Sequence, residues 1–88
     1  MGTRRQEATG RLHILDDMPP HRQCRHTFEV HITGVPTGSP NPAYRWHGDF
    51  EHRHKGKPMG RHKSSRVDAM LKALAARIRR VVGQSGAA

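Results

Sequence analysis

Eighty-eight residues allow one small domain, and 33% apolar residues with a mean hydropathy of −0.86 allow that domain only a thin core. Sixteen Lys and Arg against seven Asp and Glu leave a net charge of +9, which excludes an acidic or charge-balanced surface and points to nucleic acid, an anionic membrane surface or an acidic protein. The single cysteine, Cys24, excludes an internal disulfide and makes a reducing compartment the expectation.

Residues 1–9 are polar and without period, and they read as a disordered tail ahead of a domain spanning 10–83. Gly10–Leu15 alternates Leu12 and Ile14 with Arg11 and His13, which predicts a short strand. Asp16-Asp17-Met18-Pro19-Pro20 interrupts it, because two prolines remove donors and fix φ. Arg25–Thr33 gives the clearest strand: Phe28, Val30 and Ile32 fall on one face, and Thr27, Glu29, His31 and Thr33 on the other. Prolines 36, 40 and 42 make the following stretch a loop.

Ala43–Arg53 reads as another strand. Tyr44, Trp46, Gly48 and Phe50 share a face expected to floor the core, with Gly48 marking a bulge or a close approach. Arg45, His47, Asp49, Glu51 and Arg53 share the other face, where the acids are expected to pair with neighbouring arginines. His54–Pro58 predicts a hairpin turn and Met59–Ser64 a polar, returning edge strand. Val67, Met70, Leu71, Leu74, Ile78, Val81 and Val82 then form one apolar stripe at helical spacing. Ser65 followed by Asp68 suggests a capping box, and Gly83 suits the helix end. Residues 84–88 read as a second tail. The expected fold is α+β, a three- or four-stranded antiparallel sheet with one C-terminal amphipathic helix packed on one face.

Charge is uneven along the chain. Residues 1–42 carry five Arg against four acids, whereas residues 43–88 carry eleven Lys and Arg against three. The densest run is His52–Arg66, with Arg53, Lys55, Lys57, Arg61, Lys63 and Arg66 and no acid. Cations on a hairpin tip reach phosphates without demanding geometry. A helix start beside Ser64 and Ser65 adds free N–H donors and partial positive charge. The expected contacts are Arg45, Arg53, Lys55, Lys57, Arg61, Lys63, Ser65 and Arg66.

His52, His54 and His62 would converge on a metal in only one hairpin register, and they are expected instead to be exposed polar residues; no metal or cofactor is expected. No nucleophile elbow, P-loop, HExxH or paired-Cys pattern is present, so no enzyme is expected. No apolar run suits a signal peptide or a membrane span, which leads to the expectation of a soluble cytoplasmic protein without a membrane partner.

The span Tyr44–Val82, an aromatic and basic strand, a basic hairpin and a polar strand before an amphipathic helix, resembles small sheet-plus-helix DNA-binding modules such as AP2-like domains and the arm-binding domains of phage integrases. The resemblance implies Arg45, Arg53, Arg61 and Lys63 as sheet-side contacts and DNA rather than RNA as the partner. The functional expectation is a non-catalytic nucleic-acid-binding protein. The alternative is an interaction module that docks an acidic protein or pairs by an edge strand, and a homodimer fits the thin core.

Overall fold

A computed structural model describes residues 4–38, 40–41 and 43–83; the 84–88 segment lies outside the described residues. Its elements are β1 (Gln6–Leu15), a turn of 3-10 helix (Pro20–Arg22), β2 (Arg25–Pro36), β3 (Tyr44–His54), β4 (Lys57–Ser64) and α1 (Val67–Val82). The strands form one antiparallel sheet in the order β1-β2-β3-β4, and α1 packs on one face of it. The expected α+β fold is observed, with the fourth strand present. Among the described residues no helix is long and apolar enough to cross a membrane.

Several element boundaries differ from the sequence reading: β2 runs on past Thr33 to Pro36, and β4 starts at Lys57, inside the expected turn. Strand β1 starts at Gln6, opposite Gly34, so Gln6–Thr9 are paired strand and not tail. They carry no apolar period because β1 is an exposed edge strand, where polar side chains are tolerated on both faces. The helix N-cap is Arg66, with no side-chain cap bond. Ser64, not Ser65, accepts a hydrogen bond from the Arg66 N–H, at 3.2 Å.

Side-chain alternation places Leu12, Phe28 and His52 in one row across the sheet, and Val30, Phe50 and His62 in the next. The helix lays Met70, Leu74 and Val81 over this face, and with Phe28 and Phe50 they make up the buried apolar core. Leu71 and Val82, on the flank of the helical stripe, stay exposed. Gly48 is a point of close approach: a Cβ there would stand 2.6 Å from Met70 Cε, so glycine lets the first helical turn settle on the sheet.

That contact anchors one end of the helix. Ser64 lies opposite Gly48, and from there α1 runs back over Phe50 toward His52. A sixteen-residue helix is about 24 Å long, while an eleven-residue strand spans about 36 Å. The helix therefore leaves the first part of β3 uncovered. The expectation that all of this strand's aromatics floor the core holds for Phe50 but fails for Trp46, which is 45% exposed.

Candidate nucleic-acid interface

The basic hairpin turns in two residues, Lys55 and Gly56, with φ of +54° and +76°. Two positive φ values define the primed turn whose twist matches that of the flanking strands, and Gly56 supplies the second without strain. Beyond the turn the register slips between His52 and Arg53, leaving Met59 as the extra residue. Lys55, Lys57 and Lys63 are exposed, and among the described residues none of them has an ion-pair partner.

The outer sheet face is different. Glu51 accepts from Arg53 Nε at 2.8 Å and faces Arg61 Nη2 at 3.8 Å across the strands. Glu29 faces Arg11 at 3.7 Å, and Asp49 faces His31 at 3.6 Å. Glu29 and Glu51 thus pair with neighbouring arginines, as the strand pattern implies, whereas Asp49 faces an imidazole instead, and Arg53 and Arg61 share their charge with Glu51. Arg45 is exposed near Val35 and Pro36, at the far end of β3 from the hairpin.

The helix start holds an anion of its own. Arg66 Nη2 donates to Asp68 Oδ2 at 2.7 Å. Desolvation acts to raise the Asp68 pKa, but the Ala69 N–H and the Arg66 guanidinium outweigh it and hold the carboxyl below its ordinary value. An internal carboxylate takes the place that the sequence reading leaves for a phosphate. Ser65 is exposed.

The histidines are not the exposed polar residues expected: His52 is buried and His54 and His62 are half-buried, and the set that gathers is not His52, His54 and His62. His62 lies opposite Phe50 and stacks on its ring. His26, from β2, joins His52 and His54 instead, because its register partner is His54. The His26 and His54 rings stack at 4.2 Å, 6° from parallel. Stacked rings aim their nitrogens along parallel lines and not at a common point, and among the described residues no group of three or more His, Cys, Asp or Glu could hold a metal ion.

Hydrogen-bond direction fixes the tautomers in this cluster. Arg77 can only donate, so His52 Nδ1, 3.2 Å from Arg77 Nη1, is an acceptor. The His52 proton is then on Nε2 and is donated to His26 Nδ1 at 2.8 Å. His26 in turn carries its proton on Nε2, which faces Asp16 Oδ2 at 3.7 Å. The Asp16 carboxylate also accepts from the Met18 and Cys24 N–H groups. Two hydrogen bonds in one direction, Arg77 to His52 and His52 to His26, pin the helix, β3 and β2 together, with Asp16 of the β1–β2 connection 3.7 Å beyond His26 Nε2.

Both inner imidazoles are held neutral. Desolvation, then the neighbouring His26, Arg77 and His54, pushes His52 down to about 4. Desolvation and His54 lower His26, against an upward pull from Asp16. The cluster floors a cleft of about 500 Å³ whose rim includes Asp17, Met59 and Arg80. The sequence signal for this pin is the strand period: His26 and His52 lie two residues from Phe28 and Phe50, on the core face, and Arg77 interrupts the helical stripe between Leu74 and Val81.

The fold and the cationic hairpin define a class, a small basic sheet-plus-helix domain. No family model matches the chain, and neither does any curated protein or solved structure.

Proposed function

We propose that this protein binds nucleic acid without catalysis, through phosphate contacts made by the β3–β4 hairpin. The observation that carries this reading is the acid-free tip, where Lys55 lies in a sterically defined turn, Lys57 follows it and Lys63 stands further along the exposed edge strand. Arg45, Arg53, Arg61 and Arg66 add positive field around it, with Ser65 at the helix start. The resemblance of residues 44–82 to sheet-plus-helix DNA-binding modules favours DNA over RNA. A non-catalytic role is favoured because the pin engages His52 at both ring nitrogens and His26 at Nδ1. The lone cysteine favours a cytoplasmic setting.

Phosphate binding predicts a steep salt dependence, with roughly one unit of log–log slope per phosphate contact. Lys55→Ala combined with Lys57→Ala is expected to lower the slope by about 2 if each lysine meets one phosphate. Fluorescence anisotropy of a labelled oligonucleotide between 20 and 200 mM salt measures this. No detectable binding of duplex or single strands at low salt defeats the reading.

A second reading, a protein-interaction module or homodimer, is favoured by β1. It is a ten-residue edge strand with an open side, and Leu12 and Leu15 on it are 41% and 55% exposed. Affinity capture after nuclease treatment separates the two, since an acidic protein retained without nucleic acid favours the second.

A further inference from the structure

We propose that Trp46, with Tyr44 beside it, is a stacking platform for the bases of single-stranded nucleic acid, at the end of the sheet remote from the hairpin; this rests on the nucleic-acid reading and adds to it a preference for unpaired strands. The geometry starts at Gly34, the register partner of Trp46. A Cβ on Gly34 would stand 2.7 Å from Trp46 Cζ3 and 2.8 Å from Cε3 and Cη2. Near-equal distances to three consecutive atoms of one six-membered ring, all well beyond that ring's radius, put this point over the ring face. The indole therefore lies with one face on the Gly34 backbone, and glycine is what allows it to lie down.

The other face is open. Trp46 is 45% exposed, and Tyr44 sits 5.6 Å away, centroid to centroid, at 39°. The helix cannot cover either ring, because its first turn is already seated on Gly48. A large aromatic held flat by its own backbone and left bare on its outer side is a surface that any base can stack on, since every base has a π-face.

Charge decides between occupants. At this end Arg4 and Arg5 continue from Gln6, which is opposite Gly34, and Arg45 lies between Tyr44 and Trp46 along β3, on the other face of the sheet. Against these three arginines stands Glu7. A second copy docked on the same patch would bring like charges together, whereas a polyanion with exposed bases satisfies both the rings and the arginines.

Trp46 is the chain's one tryptophan, so its emission reports on the platform directly. The experiment titrates the full chain with a dT12 oligonucleotide and with heparin, a polyanion without bases. The expected result is quenching by dT12 and none by heparin. Trp46→Ala should lower dT12 affinity about tenfold or more, with heparin affinity and circular dichroism unchanged. If dT12 binds without quenching and equally well to Trp46→Ala, the platform is refuted while the hairpin reading stands. A 12-base-pair duplex titrated alongside should bind more weakly than dT12, equal binding overturns the preference for unpaired strands, and if neither dT12 nor the duplex binds, both readings fall. A concentration-dependent blue shift of Trp46 emission without nucleic acid would assign the patch to a second copy and overturn the proposal.

Discussion

Lowering the pH from 7 to 5 is expected to destabilise the fold by roughly 2 kcal/mol through His52 alone. The sign follows from the direction of the shift. His52 has a folded pKa of about 4 against 6.5 for the unconstrained side chain. Between these values the unfolded chain binds a proton that the native state refuses. Stability is therefore fully present above about pH 6.5 and is lost as the pH falls toward 4. His26 is lowered too and acts in the same direction.

The physical cause is burial first and then the neighbouring His26, Arg77 and His54, and the hydrogen bond from Arg77 leaves no place for a second proton. A proton added at His52 Nδ1 would point at the Arg77 guanidinium, and that bond would break. For a domain of this size, 2 kcal/mol corresponds to about 10 °C in Tm. Thermal melts at pH 7.5, 6.0 and 5.0 measure the effect in a range above the usual carboxylate pKa values of about 4. His52→Gln, which cannot titrate, should flatten the profile at a lower overall stability. A wild-type Tm unchanged between pH 7.5 and 5.0 would falsify the neutral-pin description.

Truncating Phe28 should have the largest effect of any single substitution in the core. Phe28 is fully buried, stacks on His52 at 4.4 Å and meets Phe50 at 6.3 Å. It joins the apolar core to the polar pin. Phe28→Ala is expected to cost roughly 3–5 kcal/mol, against a total stability of about 5–10 kcal/mol for a chain this short. The cavity would open beside an imidazole already deprived of water, so relaxation of apolar neighbours into it is limited. Denaturant unfolding gives the value. Leu71→Ala, at an exposed helix position, serves as the control and should cost less than about 1 kcal/mol. Equal losses in the two variants would mean that the core is not where the burial pattern puts it.

The strands and the helix were legible because their periods differ. Phe28, Val30 and Ile32 can share a face only in an extended chain, and Met70, Leu74, Ile78 and Val81 only in a helix. The hairpin was legible from Gly56 and its neighbours. The pairing of Glu51 with Arg53 and Arg61 followed from alternation and cross-strand charge. The cationic tip was visible as composition, which is why the proposed phosphate contacts can be named without the fold.

Other features depended on register and reach, which no local pattern specifies. Whether His52 met His62 or His26 turned on two registers, β3 with β4, which puts His62 opposite Phe50, and β2 with β3, which puts His26 opposite His54. Whether Trp46 was core or surface turned on where the helix landed, and Gly48 sets that by admitting Met70 at one point along β3. The helix start looked like an open anion seat until the fold brought the Asp68 carboxylate back onto it. By itself the sequence determined the elements, their inward faces and the positive charge, because these depend on residue type and spacing along one strand or helix. The tertiary structure alone decided the polar pin and the bare indole, because both depend on the offset between elements far apart in the chain.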